Sequence, residues 1–204
     1  MSDLDRAGGV AAVMKELSYL LYPEALTVSG KTIGDYVNEA EVKDNDVIRP
    51  LENPIQPESG MVVLRGNLAP EGAIARSASF PENCMVFEGT AKCFSDADTA
   101  AWAVTGGEVT DGDIVVARYE GLKGGPGGRE ISLLPYILNA IGADQIGMIT
   151  DARLSGSNRG AMVCHVTPEA YEGGPLALVE DGDKILIDIP NRRLDLLISE
   201  EELE

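Results

Sequence analysis

Asp111-Gly112-Asp113-Ile114-Val115-Val116-Ala117 is the stretch whose reading decides the fold. Asp-Gly-Asp is turn chemistry, with a glycine free to take positive φ. The apolar, β-branched run behind it reads as a strand. The phrase returns as Asp181-Gly182-Asp183 ahead of Lys184-Ile185-Leu186-Ile187-Asp188-Ile189, and a valine precedes each copy, Val109 and Val179. We read it as a recurring turn-to-strand device and not as a true repeat. Working backward, Ser95 with Asp98 three residues on is a capping pattern for a helix through Trp102 and Val104 that Gly106-Gly107 ends. Trp102 falls on its apolar stripe and is expected in the core. Shorter strands are expected at residues 61–64, 73–76, 85–88 and 91–94.

Working forward, Gly124 to Gly128 is a glycine-rich loop, and Ile131 to Ile141 reads as a helix with Pro135 near its first turn. Residues 145–150 and 161–166 read as strands around a polar loop. Thr167-Pro168-Glu169-Ala170 has an N-cap residue followed by proline at a first helical position, and residues 194–198 form a last strand. Val10, Met14, Leu17 and Leu21 recur at helical spacing until Pro23, so residues 1–24 are expected to hold a linker helix. Residues 38–60, with Pro50, Pro54 and Pro57, read as an irregular connection. Many short strands with a few helices predict a mixed α/β fold: one barrel-like sheet with helices outside, in a single domain over residues 1–204.

The 204 residues are 44% hydrophobic and 25% charged, an ordinary globular composition, and no apolar run approaches a membrane span. Residues 1–16 lack the pattern of a secretory signal. The net charge of −18 makes nucleic acid and anionic membranes poor partners, and 5% aromatic residues argue against base-stacking platforms. Cys84, Cys93 and Cys164 form no C-x-x-C pair, which predicts free thiols in a reducing cytoplasm.

Two loops could carry chemistry. In Gly124 to Glu130 the glycines let backbone approach a ligand closely, and Glu130 offers a hard oxygen for Mg²⁺. The plain alternative is a glycine loop with an acid at a helix N-terminus. In Thr150 to Gly160, Ser155, Gly156 and Ser157 offer hydroxyls and N–H groups suited to an anion, against the alternative of a solvated turn. Ser155 has no histidine and aspartate at nucleophile-elbow spacing. His165, the only histidine, sits beside Val163 and Val166 and reads as a structural group before a ligand.

These segments bear a resemblance. Tyr119 to Glu130, Ile149 to Gly156, His165 to Ala170 with Glu172 to Ala177, Ala25 to Thr32, Val63 to Gly72 and Asp188 to Leu196 resemble, in order, signature segments of dihydroxy-acid dehydratases. The likeness runs from about Gly8 to Glu202. The wider family includes phosphogluconate and sugar-acid dehydratases, and Arg159-Gly160 with Ala25 to Thr32 favours the dihydroxy-acid branch. The resemblance implies the C-terminal swivelling β/β/α barrel of a hydro-lyase that turns 2,3-dihydroxy acids into 2-keto acids in branched-chain amino acid biosynthesis. It implies Ser155 as general base, Glu130 as a Mg²⁺ ligand, and Gly156 and Ser157 beside the substrate, with Arg153 and His165 behind them. An iron–sulfur cluster and most Mg²⁺ ligands would belong to an N-terminal partner domain, and the complete enzyme would be a homodimer. A sugar-acid dehydratase domain and a non-catalytic regulatory paralogue are the alternatives. The chain departs from the family at Gly128, where the family has Met, and at Ala152 and Cys164, where it has Gly. A Cβ at 152 is harmful if that position needs φ > 0.

Overall fold

The computed structural model describes residues 1–55, 60–125, 127–142, 145–156 and 158–198. The chain divides into two compact units, Met1–Glu58 and Ser59–Glu204.

The first unit holds α1 (Ser2–Arg6), α2 (Gly9–Glu16) and α3 (Ile33–Glu39) around Ala7, Ala12 and Ile48. Residues 1–24 therefore do not form one helix. Gly8 sits at φ +120°, outside helical space, and separates α1 from α2; a 3₁₀ turn at Ser18–Leu20 follows. Val10 is exposed and the small Ala12 is the buried residue of α2, so the larger apolar stripe does not mark the buried face. Thr32 and Asp35 form a reciprocal capping box at α3, where the Thr32 hydroxyl accepts from the Asp35 N–H at 3.1 Å.

The second unit is one eight-stranded sheet: β1 (Val62–Leu64), β2 (Gly72–Ala75), β3 (Val86–Phe94), β4 (Asp113–Ala117), β5 (Gly147–Thr150), β6 (Met162–Thr167), β7 (Lys184–Asp188) and β8 (Arg193–Leu196). The strand order is β1-β2-β6-β5-β4-β3-β7-β8. β3, β4, β5 and β6 are mutually parallel, and every other pairing in the order is antiparallel. The two ends meet where Arg65 donates its N–H to the Arg192 carbonyl (2.9 Å) and accepts from the Leu194 N–H (3.0 Å). The sheet is thus nearly closed, in the barrel-like form expected.

Side-chain alternation builds two cores from the same strands. Ile114, Val116, Ile149 and Val163 join Leu64, Ile185, Ile187 and Leu194 in one cluster. Val115, Ala117, Met148 and Met162 pack instead with α4 (Ala97–Gly106) and α5 (Leu133–Ala140). β4 is consequently buried at every position, which is why the four residues after Asp113 are an unbroken apolar run.

Several boundaries differ from those the sequence suggested. The pieces at 85–88 and 91–94 are one strand, β3, and Gly89 lies inside it because a Cβ there would come within 2.6 Å of Ile114 and 2.8 Å of the Gly112 carbonyl. The Asp96 carboxylate, not Ser95, caps α4, accepting the Thr99 N–H at 2.7 Å. Trp102 is 78% exposed, because α4 approaches the sheet through Ala97, Ala100, Ala101, Ala103 and Val104. Thr167 belongs to β6 and precedes a cis peptide to Pro168, so it caps no helix; only a 3₁₀ turn at Ala170–Glu172 follows. The two Asp-Gly-Asp phrases do form the same turn. Gly112 and Gly182 sit at φ +89° and +99°. Asp113 and Asp183 accept the N–H groups of Thr110 and Glu180, each at 2.8 Å. They launch β4 and β7, the two strands that flank β3.

Candidate functional site

Three parallel strands, β4, β5 and β6, end on the same side of the sheet, and the loops holding Glu130, Ser155 and Glu169 leave from those ends. Carboxyl ends of parallel strands are where α/β folds collect ligands. Residues 118–132 follow β4, residues 151–161 follow β5, and residues 168–174 follow β6.

Buried carboxylates sew these loops together. Asp151, 5% exposed, accepts N–H groups from Tyr119 (3.1 Å), Glu120 (3.0 Å) and Ala170 (3.0 Å), one acid holding all three loops. Glu120 accepts the Ala97 N–H at the start of α4 (3.0 Å) and pairs with Arg129 (3.1 Å). Glu169 accepts the Lys123 N–H at 2.8 Å and the Gly124 N–H at 3.3 Å. Each acid meets backbone donors that would otherwise be buried without partners. Sequence reasoning missed all three. The available signal was an acid directly behind an apolar strand, as Asp151 follows Gly147–Thr150.

The glycine loop packs against its own backbone. A Cβ on Gly124 would lie 2.8 Å from the Tyr119 carbonyl oxygen, and one on Gly125 2.6 Å from that of Glu120. These glycines let the loop fold onto its own backbone, as the Gly125 N–H bond to the Gly121 carbonyl (2.8 Å) shows. Pro126 lies outside the described residues.

Glu130 and Arg153 form an isolated parallel bridge, and the Ile131 N–H donates to the Arg153 carbonyl at 3.1 Å. The acid loop and the serine loop therefore share one rim. Ser155 is half-buried two residues beyond that bridge, Gly156 is exposed, and the Asn158 N–H reaches back to the Ser155 carbonyl at 3.4 Å. Ser157 lies outside the described residues. Glu130 is exposed and, with Asp98, Arg129, Ser132 and Leu133, lines a cavity of about 260 Å³.

His165 is exposed, not enclosed among its valine neighbours. It occupies a register shift between β2 and β6, with φ +53°, and its N–H donates to the Ala152 carbonyl at 3.0 Å. Non-glycine residues rarely hold this left-handed backbone outside functional or tightly determined sites.

The family departures fit locally. Ala152 is not among the positive-φ residues of the described chain, and its methyl is buried against the α4–α5 core. Gly128 sits at φ +67°, where a Cβ would come within 2.5 Å of Leu122, so glycine is the unstrained choice. Cys164 is half-buried, and burial pushes its thiol pKa up against the opposing effect of a hydrogen bond with the Leu154 backbone.

Among the described residues no group of three or more His, Cys, Asp or Glu gathers as a metal would require. Glu130 fits Mg²⁺ as a single oxygen donor. The cysteines do not fit a cluster. Cys84 is buried in the barrel core, and burial pushes the Cys93 thiol up to about 11 despite the opposing charge of Arg118. No helix among the described residues is long and apolar enough to cross a membrane.

Comparison with known proteins gives a consistent result. A family profile described as dihydroxy-acid/6-phosphogluconate dehydratase C-terminal matches residues 46–204. A protein of Aquifex aeolicus named dihydroxy-acid dehydratase is 50% identical over 99% of this chain and 37% of its own length. Proteins of the same name from Pyrococcus furiosus and Methanothermobacter thermautotrophicus are 50% and 46% identical over 98% and 100% of this chain. The chain spans little more than a third of these relatives, 37% of each.

Proposed function

We infer that this chain, which belongs to the dihydroxy-acid/6-phosphogluconate dehydratase family as its C-terminal domain, supplies the proton-handling half of a hydro-lyase site. The reaction is dehydration of a 2,3-dihydroxy carboxylic acid to a 2-keto acid. The other half belongs to an N-terminal partner domain bearing the iron–sulfur cluster and the remaining Mg²⁺ ligands. The bridge between Glu130 and Arg153 carries this reading, because it holds the metal-binding acid and the serine loop on one rim.

Ser155 takes the proton from C2 of the substrate. The C3 hydroxyl departs and takes up a proton equivalent to the one Ser155 removed, leaving as water, and the resulting enol tautomerises to the 2-keto acid. When bound, the metal and the cluster supply Lewis acidity at the substrate oxygens and at the departing hydroxyl. The chain's task is to make a serine oxygen basic. Each pKa unit of depression takes about 1.36 kcal/mol of added stabilisation of the alkoxide. The Gly156 N–H and the closely fixed loop contribute to that stabilisation. Glu130 offers one oxygen to Mg²⁺ from the neighbouring loop.

Ser155→Ala in the cluster-loaded holoenzyme is the test. It should lower kcat by about 100-fold or more, the scale for losing a positioned acid–base group. The unfolding midpoint should barely move, and Ser157→Ala is the control that costs much less. Glu130→Gln should raise the Mg²⁺ concentration needed for activity. Near-native turnover by Ser155→Ala would move the base elsewhere, with His165 the next candidate.

A further inference from the structure

We propose that Arg76, which no sequence motif singles out, is the anchor for the substrate's carboxylate. The inference rests on the reading that the Ser155 loop faces substrate. Arg76 directly follows β2, which pairs with β6, so the chain returns it to the start of β6 and to the end of the serine loop. The turn at 76–79 is fixed there. The Arg76 carbonyl accepts the Ser79 N–H at 2.9 Å and its hydroxyl at 2.7 Å, and the Ser79 carbonyl accepts the Gly160 N–H at 3.0 Å. The guanidinium lies against Gly156, with Nη1 3.6 Å from where a Cβ on that glycine would begin.

The charge state of this corner is the second observation. The chain carries a net −18, yet none of the ion pairs among the described residues uses Arg76, Arg153 or Arg159, which flank the Ser155–Gly156 segment. Arg153 and Arg159 are exposed, so water screens them, but Arg76 is half-buried and its Nε is buried without a hydrogen-bond partner. A half-buried guanidinium with no counter-charge among the described residues is unfavourable as it stands and favourable once an anion arrives. The planar fork of arginine matches a carboxylate. A 2,3-dihydroxy acid reacting at Ser155 brings its carboxylate one bond from C2, the carbon whose proton Ser155 removes.

The test is made in the holoenzyme with Arg76→Gln and Arg76→Lys. Inhibition is measured with a 2-hydroxy acid lacking the C3 hydroxyl and with its uncharged amide. Arg76→Gln should raise the substrate KM and the Ki of the acid by about 10- to 100-fold, the scale for losing a hydrogen bond to a charged group. The Ki of the amide should stay within about 2-fold, and Arg76→Lys should recover part of the loss. Equal changes for acid and amide, or no change in either, would overturn the proposal. So would release of the partner domain on size-exclusion chromatography with the acid's Ki unchanged, which would assign Arg76 to an acid of that domain. The Ki readout needs no turnover. Near-native kcat in Ser155→Ala, with the acid–amide discrimination by Arg76 intact, would therefore sink the base assignment alone.

Discussion

Two buried aspartates, Asp188 in the antiparallel half of the barrel and Asp151 in the parallel half, are used differently. At the β7–β8 turn, Asp188 accepts the N–H of Asn191 at 2.9 Å and its amide at 2.8 Å, both from within its own turn. At the end of β5, Asp151 accepts N–H groups from Tyr119, Glu120 and Ala170, which come from two other loops. Antiparallel neighbours are joined by short turns that satisfy themselves. Parallel neighbours need long crossovers, and their loops leave donors that only distant residues meet. The half with the long loops is the half with the candidate chemistry, and it has to be stitched before it can position anything.

The sharpest way to break this contrast is to remove the two aspartates. Asp151→Ala strands three backbone donors, two of them buried, and should cost about 3 kcal/mol by chemical denaturation, at about 1–3 kcal/mol for each unmet buried group with incomplete additivity. Asp188→Ala should cost about 1 kcal/mol, a local turn's worth. Equal losses would mean that the three-loop junction carries no special weight.

Next in size is the difference in burial between the halves. Val115 on β4 is fully buried under the helices, whereas Val63 on β1 is 45% exposed. Val115→Ala should cost about 2 kcal/mol, from roughly 0.8 kcal/mol per buried methylene plus unfilled space. Val63→Ala should stay within about 0.5 kcal/mol. A similar loss at both positions would argue against a doubly covered β4.

The smallest effect tests whether α4, the helix that covers the parallel half, is capped locally. Asp96→Ala should cost about 1 kcal/mol at neutral pH. The Thr99 N–H and hydroxyl hold the Asp96 carboxyl below its usual range. Its contribution is therefore complete above the unfolded-state value of about 3.9 and is lost as the pH falls through the lower folded-state value. Parent and variant stabilities should converge below about pH 4. A gap that stayed constant with pH would show that the cap acts through neutral contacts.

Most strands and helices were legible because their signals are local: apolar runs, caps and Asp-Gly-Asp turns. Trp102 was misread because apolarity at helical spacing does not say which face a sheet selects, and close approach here selects alanine. Gly124 and Gly125 stay open in the sequence between a ligand cradle and a plain loop, because the backbone they accommodate is their own, a tertiary fact. Glu130 and Ser155 stand out as polar groups of their loops, and the family resemblance alone implies their roles. Their shared rim depends on strand order, which residue periodicity does not encode. Arg76 reaches Gly156 only because β2 pairs with β6, and no spacing along the chain announces that.

The seam at Arg65 has a consequence for biogenesis. Its partner strand, β8, lies about 130 residues further along the chain. At the ribosome's pace of roughly 5–20 residues per second, β1 waits on the order of ten seconds for its neighbour. During that interval its outer edge offers unpaired backbone to any nascent chain nearby. Aggregation of this protein should thus depend on elongation speed between β1 and β8, a dependence that synonymous codon changes in that window would expose.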